Sequence, residues 1–257
     1  MNRITALAAT VALAAGSLAL TTPAAQAAPA KYKVTAKANT EIAIVKEDTV
    51  KVRGRVTPKA AGQKVVLQQR VGKKSWKVTG SAKVKRNGTY LLKDKPSTPG
   101  SREYRVVKPA SKGVKKGISK AMPVVVYRWE KLTYRTPGPM TNIAPAGVNI
   151  GAEFYGQSLA TATAGTPSSV EYTLGRKCIE MRASYALTDE SASGATGSVT
   201  VSGDGAVLAS HQLAVGTLVA DETLDLAGVF RVKVDATTSA TPAATVAVAT
   251  PEVLCTR

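Results

Sequence analysis

Few side chains in this chain of 257 residues could perform acid–base, nucleophilic or metal chemistry. His211 is the only histidine, so a histidine-based metal cluster cannot form, and a serine triad would have to use this one imidazole. The carboxylates of the second half could supply a glycosidase pair, but most alternate along strand patterns or lie in turns. They are Glu153, Glu171, Glu180, Asp189, Glu190, Asp204, Asp221, Glu222 and Asp225. We therefore expect no enzyme activity and no cofactor.

Three of these carboxylates offer oxygen ligands of the kind that calcium prefers. They are Asp189, Glu190 and Asp204. Their spacing matches no known calcium loop, because the ligands of such loops alternate within about twelve residues. We therefore expect ordinary turn residues here and no metal.

Cys178 and Cys255 are the only cysteines. In an exported chain, two cysteines beside strand residues predict a disulfide. The bond would close a loop of 77 residues, and the chain-entropy model assigns such a closure about 4 kcal/mol. Two free thiols are the alternative if the chain is not exported.

Strand patterns surround these side chains and would position them. Residues 169–177 and 179–187 alternate apolar and polar side chains, as half-buried strands do. Residues 197–202 and 206–209 then flank a Gly-Asp-Gly sequence, whose glycines can adopt the positive φ that a tight hairpin turn needs. The order predicted is strand, turn, strand, polar loop and hairpin.

The motifs of this stretch resemble those of the NPCBM family of carbohydrate-binding modules, which are galactose-binding-like jelly rolls. The family pattern runs Y-x-L-G-x-K, then a strand ending near D-D/E-S, then G-S-V-x-F-x-V-x-G-D-G. Residues 150–159 and 225–234 resemble the flanking strands of the family. The resemblance implies a jelly roll with a carbohydrate ligand. The residues that match the pattern are Tyr172, Leu174, Gly175, Lys177, Asp189, Glu190, Ser191, Gly197, Ser198, Val199, Gly203, Asp204 and Gly205.

The chain departs from the family at two places. No histidine follows the small-residue run at residues 159–164, and residues 244–255 replace the closing D-H-A-D-W-A-D-A segment of the family. The resemblance therefore supports the jelly-roll fold more strongly than it supports the sugar site of the family. We expect any remaining site to be shallow and built from loops at one end of the jelly roll.

The candidate carbohydrate-binding residues are Tyr155 and Gln157, with Tyr185 and His211 as weaker candidates. An aromatic ring can stack on the apolar face of a sugar, and the other groups can hydrogen-bond to its hydroxyls. Phe154 and Tyr155 would point to opposite faces of a strand. We expect Tyr155 outside and Phe154 in the core.

Residues 1–27 have the three parts of an export signal: a short basic head, an apolar run at residues 4–20 and a small-x-small cleavage site. We expect cleavage between Ala27 and Ala28. The alternative is a membrane anchor, but the apolar run is shorter than the about 20 residues of a comfortable span, and no later segment is apolar enough. The prediction is a secreted protein, extracellular or associated with the cell wall.

Charge divides sharply along the chain. Residues 28–127 contain 25 Lys and Arg against 5 Asp and Glu, a net charge of +20, whereas residues 128–257 contain 9 against 12, a net charge of −3. A single core would not normally sort its charges by sequence position. We therefore predict two domains with a boundary near Tyr127. Just beyond it, Trp129 is expected to pack between the domains, and the alternative is stacking on a sugar.

Short strands at spacings of about ten residues predict an all-β sandwich for the first domain. The pattern resembles the bacterial immunoglobulin-like modules of secreted actinobacterial proteins. The resemblance implies that Trp76, Tyr90 and Tyr104 fill the core. Strands are expected at residues 32–38, 49–57, 64–71, 77–84, 89–92, 102–107 and 122–127.

The basic surface of the first domain would concentrate a polyanion, and outside a bacterium the abundant polyanions are wall teichoic acids and lipid headgroups. The alternative is a solvated surface that keeps edge strands from pairing. Nucleic acid is not expected, because the export signal separates the protein from it and no aromatic stacking face is present. The residues concerned are Lys51, Arg53, Arg55, Lys73, Lys74, Lys83, Lys85, Arg86, Lys112, Lys115, Lys116 and Lys120.

These patterns predict a secreted all-β protein without catalysis. An N-terminal immunoglobulin-like β-sandwich (28–127) precedes a C-terminal galactose-binding-like jelly roll (128–257). The expected function is carbohydrate binding at or near the cell envelope. The basic domain is expected to bind wall polyanions. The alternatives are a structural wall protein or an enzyme inhibitor without a sugar ligand and, less favoured, a glycosidase-type enzyme.

Overall fold

The computed structural model describes residues 30–257, which form β-strands, turns and one 3₁₀ turn at Leu132–Tyr134. The predicted export signal and its cleavage site between Ala27 and Ala28 lie outside the described residues. Within residues 30–257 no helix is long and apolar enough to cross a membrane. The predicted all-β fold class is confirmed.

The N-terminal strands enclose one core between two sheets. Strands β1, β3 and β6 form a three-stranded antiparallel sheet, and β5, β4, β7 and β9 form the facing sheet, with β2 beside β9 and β8 beside β7. Alternate residues of β3 and β4 point inward, as Val52 and Leu67 do, because successive side chains of a strand point to opposite faces. The strands are β1 (Lys33–Ala38), β2 (Ile42–Ile44), β3 (Val50–Thr57), β4 (Lys64–Val71), β5 (Lys77–Lys83), β6 (Thr89–Asp94), β7 (Gly100–Lys108), β8 (Gly117–Ile118) and β9 (Met122–Lys131).

All seven strands predicted for this half are present, with ends shifted by a few residues. Of the predicted core aromatics, Tyr90 and Tyr104 are buried. Trp76 is not in the core, and that prediction is wrong. Trp76 precedes β5 on the outer face, where the guanidinium groups of Arg105 and Arg70 lie 4.1 Å and 4.7 Å from the centre of its ring. The Trp76 ring therefore makes cation–π contacts with these two arginines at the surface and does not pack in the core, where it had been expected.

The C-terminal strands form two five-stranded layers. One contains β10, β13, β18, β15 and β16, and the other contains β11, β12, β19, β14 and β17. Side chains from both layers share one core, which includes Tyr172, Tyr185 and Val248. The strands are β10 (Met140–Thr141), β11 (Ile143–Ile150), β12 (Glu153–Thr161), β13 (Ser168–Thr173), β14 (Cys178–Leu187), β15 (Thr196–Gly203), β16 (Ala206–Ala214), β17 (Leu218–Asp225), β18 (Arg231–Thr238) and β19 (Val246–Cys255).

Turns interrupt three of the stretches predicted as strands. Residues 150–159 contain the turn between β11 and β12, where Gly151 and Ala152 have φ of 60° and 64°. Residues 225–234 contain a loop before β18, with φ of 80° at Gly228. Residues 174–177 are a turn between β13 and β14. A glycine of positive φ lies in each of these turns, Gly151, Gly228 and Gly175, because glycine adopts that conformation without steric cost.

Strand β9 joins the two halves. Residues 122–126 pair with β7, and residues 128–131 pair with β19. One eleven-stranded sheet therefore runs through both halves, although their apolar cores are separate clusters. The boundary proposed near Tyr127 falls inside this strand, and the division into two domains stays a prediction.

The disulfide between Cys178 and Cys255 is confirmed. The two residues are paired in register on β14 and β19, with their Cα atoms 4.0 Å apart. No free cysteine remains in residues 30–257. The bond ties the start of β14 to the last residue of β19, beside the junction with β9.

Candidate functional site

Tyr155 lies on β12 and is half-buried, whereas Phe154 is 68% exposed. The expectation of Phe154 in the core is therefore wrong, and Tyr155 lies on the outer side, as expected, but is only partly exposed there. The reason is a second apolar cluster on the outer side of the β19 layer, against which Tyr155 packs. This outer cluster consists of Val148, Ile150, Ala186, Ala247 and Ala249. The Tyr155 hydroxyl donates to Oε2 of Glu153 at 3.1 Å.

Gln157 is exposed and has a φ of 58°. Its Oε1 lies 3.3 Å from Oγ1 of Thr133, which donates to it from the 3₁₀ turn. Gln157 thus connects β12 to the segment that follows β9. Tyr155 and Gln157 share one strand, but Tyr155 mainly covers the outer cluster.

Tyr185 and His211 belong to a different part of the fold. Tyr185 is 0% exposed in the main core, so it cannot contact a sugar at the surface, and its place among the candidates is wrong. Its ring centroid lies 5.2 Å from that of His211, whose Nε2 is 2.8 Å from Oε2 of Glu222. Strands β16 and β17 are edge strands of opposite layers. The contact between His211 on β16 and Glu222 on β17 connects these two edges. His211 therefore has a structural role here.

Two aspartates of the family-like motifs hold backbone amides. Asp189 accepts hydrogen bonds from the N–H groups of Gly151 (2.7 Å) and Ala152 (2.8 Å), which form the turn between β11 and β12. Asp204 accepts from the N–H groups of Phe230 (2.9 Å) and Arg231 (2.8 Å). No cluster of three metal-ligating side chains occurs in the described part of the chain. These carboxylates fix loops, which explains the two motifs without calcium.

Two of the motif turns converge on Phe230. The turn after β13 donates from the N–H groups of Leu174 and Gly175 to the Phe230 carbonyl, at 2.8 and 2.9 Å. The turn between β15 and β16 supplies Asp204, which holds the N–H of the same residue. The backbone of Phe230 is thus fixed from both sides, while its side chain remains 40% exposed. The fold therefore presents a rigidly held aromatic ring at one end of the C-terminal half.

An open cleft of about 520 Å³ surrounds this ring, and we call it the Phe230 cleft. Its charged groups are already arranged in pairs. Arg231 Nη1 lies 3.0 Å from Glu171 Oε2, and Lys233 Nζ lies 2.7 Å from Asp235 Oδ1. The guanidinium of Arg176 lies 5.3 Å from the centre of the Phe230 ring. The lining residues are Glu171, Ser202, Asp204, Gly205, Phe230, Arg231 and Lys233.

The backbone hydrogen bonds from Phe230 and Arg231 lower the pKa of the Asp204 carboxyl below its ordinary value, with a smaller contribution from nearby arginines. A carboxylate that accepts two N–H bonds is stabilised in its charged form. Asp204 is therefore ionised at neutral pH and cannot donate a proton. The cleft therefore places a partly exposed aromatic ring beside hydrogen-bond acceptors and donors.

A second cleft, of about 420 Å³, lies beside Trp129 on β9. The guanidinium of Arg182 covers one face of the indole at 4.2 Å, and Tyr134 nearby is 73% exposed. Glu252 pairs with both Lys131 and Arg182. Burial alone would raise the pKa of Glu252, but these two partners outweigh burial and hold it low. The indole lies opposite Leu254 on the strand pair that joins the halves, so it contributes to packing there.

No family model matches the chain, and no curated protein sequence matches it significantly. Among solved structures, the CBM51-2 and INT domains of ZmpB from Clostridium perfringens are similar over 62% of this chain and 38% of that one, at 10% identity and a TM-score of 0.39. The secreted serine protease VesC from Vibrio cholerae is similar over 86% of this chain and 50% of that one, at 10% identity and a TM-score of 0.30. The chain spans half or less of each structure. Likenesses of this size assign it to no family.

Proposed function

We propose that this protein is a secreted, non-catalytic binding protein of the cell envelope. It holds a carbohydrate in the Phe230 cleft and binds wall polyanions such as teichoic acid through its basic N-terminal half. The observation that carries the carbohydrate part is the exposed Phe230 ring, whose backbone is fixed by two turns and which is surrounded by hydrogen-bonding side chains. The resemblance of these turns to NPCBM motifs supports the same ligand class.

A binding role is favoured over a glycosidase for a physical reason. Glu171 and Asp204 both line the cleft, so a carboxylate pair is available in principle. A glycosidase needs a general acid with a raised pKa. The pKa of Asp204 is lowered instead, and Glu171 is ion-paired with Arg231. Asp204 is therefore suited to accept hydrogen bonds from a ligand and not to protonate a leaving group, and Glu171 already accepts a hydrogen bond from Arg231.

Export is supported by the disulfide, because such bonds persist in oxidising compartments outside the cytoplasm. The polyanion part rests on charge. The N-terminal half has a net charge of +20, and only one ion pair, between Arg70 and Glu103, occurs within its described residues. Cations without internal partners are available to an external anion.

The carbohydrate proposal is tested by screening the purified protein on a glycan array and then measuring its affinity for the polysaccharide retained. Phe230→Ala should lower that affinity by about tenfold or more, as truncation of a central aromatic does. It should change the free energy of unfolding by less than about 1 kcal/mol, because the ring is partly exposed.

Phe154→Ala is the matched control, because these are the two phenylalanines of the chain and both are exposed. It should leave the affinity unchanged. If no glycan retains the wild-type protein, or if both variants bind as the wild type does, the carbohydrate proposal is wrong. A structural wall protein or an enzyme inhibitor without a sugar ligand would then be the better account.

A further inference from the structure

The outer side of the three-stranded sheet β1-β3-β6 carries a concentrated set of cations. The inner side faces the core through Val34, Val52 and Leu92, so the alternate residues must point to solvent. Six of the outward residues are basic, and all six are exposed. We call this set the cationic face, and it consists of Lys33, Lys37, Lys51, Arg53, Arg55 and Lys93.

The strand register brings like charges directly opposite one another. Lys37 pairs with Arg53 across β1 and β3, and Lys51 pairs with Lys93 across β3 and β6. Directly opposed like charges destabilise a sheet. An external anion would remove this repulsion, so the arrangement is matched to a ligand that supplies negative charge.

No carboxylate of the N-terminal half compensates the cationic face. Asp94, on β6, points inward and accepts from the Tyr104 hydroxyl at 2.5 Å. Glu103 pairs with Arg70 on the facing sheet, and Asp48 accepts from the N–H of Ile44 at 2.8 Å. Among the described residues, no ion pair includes a member of the cationic face.

The shape of the cationic face fits a chain-like ligand. Two shallow grooves, of about 440 and 370 Å³, lie on the sheet, and Arg53 lines both. Lys51, Arg53 and Arg55 follow one strand at alternate positions, which places their Cα atoms roughly 6.8 Å apart. A linear polymer with a charge at each repeat can contact several of these cations at once. No large apolar side chain is exposed on this face within residues 30–257, so nothing here would insert into a bilayer.

We propose that the cationic face is the polyanion site and that its ligand is a linear wall polymer of polyols joined by phosphodiesters. This inference rests on the proposed polyanion function and adds the location of the site on one sheet. Arginine binds phosphate oxygens through two parallel N–H donors, and Arg53 lies where the grooves meet.

The test compares two variants of the full chain that each lose three positive charges. One is Lys51→Gln/Arg53→Gln/Arg55→Gln on the cationic face. The control, Lys73→Gln/Lys74→Gln/Lys77→Gln, removes exposed lysines at and after the β4–β5 turn of the other sheet. The probe is poly(glycerol phosphate), and its affinity is measured over a range of salt concentrations.

The face variant should bind about tenfold or more weakly than the wild type. Binding should also depend less steeply on salt: the slope of log affinity against log salt concentration should decrease in magnitude by about one for each phosphate contact removed. The control should keep most of the affinity and the full slope. Arg53→Lys keeps the charge but loses the two-pronged donor, so it should bind several-fold more weakly than the wild type.

Three outcomes would overturn the inference. Equal losses in the two triple variants would mean that net charge alone governs binding, which leaves the proposed polyanion function intact. Equal competition by phosphatidylglycerol vesicles would mean that the ligand is a membrane surface. If the wild type does not bind the polymer at any salt concentration, the polyanion part of the proposed function fails as well. Thermal unfolding at or above the wild-type temperature would show that the triple variants are folded.

Discussion

Asp204 shows how one side chain organises the Phe230 cleft. It sits in the hairpin turn with a φ of 50° and reaches to the start of β18, where it fixes two consecutive amides. The Gly-Asp-Gly turn was predictable, because glycine allows the required φ. The partner amides were not, because they are 26 and 27 residues away in sequence.

The lowered pKa of Asp204 predicts a dependence of stability on pH. A carboxyl whose pKa is lowered by folding contributes stability above its unfolded pKa, near 4, and loses it as the pH falls through the folded value. We expect the free energy of unfolding of the wild type to fall more steeply below about pH 4 than that of Asp204→Asn. Urea unfolding over this pH range measures the difference. Parallel pH profiles for the two proteins would contradict the predicted stabilisation by the ionised Asp204 carboxylate.

The exposed aromatic residues show where prediction from sequence fails. A continuous strand over residues 225–234 would place Phe230 on the same face as Val232, in the core. The strand begins only at Arg231, so Phe230 belongs to a loop and remains at the surface. Phe154 was expected in the core but is exposed, and Tyr155 lies on the expected outer side but is half-buried there. The cause is the outer cluster, which gives the β12 strand an apolar contact on the side expected to face solvent.

At the scale of elements, the strands were largely predictable and their partners were not. Alternation and turn residues located every long strand of the N-terminal half within a few residues. They missed β2 and β8, which have three and two residues and so show no periodicity. Nothing in the local pattern indicated that β9 would pair with β7 at one end and with β19 at the other. Pairing of distant strands depends on long-range contacts.

The disulfide gives a prediction at this scale. Replacing both cysteines, as Cys178→Ser/Cys255→Ser, should destabilise the C-terminal layers by up to about 4 kcal/mol, because the unfolded chain regains the freedom of a 77-residue loop. Hydrogen exchange should show faster opening of β14 and β19, while β3 and β4 keep their protection. Equal loss of protection in the two halves would mean that β9 couples them into one folding unit and that the predicted division near Tyr127 is wrong.

The whole molecule combines two surfaces of different chemistry, one on the three-stranded sheet β1-β3-β6 and one on the five-stranded layer that contains β18. The N-terminal half has a net charge of +20, and the C-terminal half, with a net charge of −3, carries the exposed Phe230 ring with its paired charges. The charge difference between the halves can be counted from the sequence, because it needs no tertiary contact. The sequence could not show that the cations of one sheet share a face without a carboxylate, because that depends on the strand register.

We propose that each half of the protein binds its own component of the cell wall. The most direct measurement is the affinity of the wild type and Phe230→Ala for purified walls, before and after removal of phosphodiester polymers. We expect stripping to weaken wild-type binding without abolishing it, and Phe230→Ala to lose about tenfold or more of the affinity that remains. Wild type and Phe230→Ala binding stripped walls equally well, or no binding of the wild type to either preparation, would contradict the account.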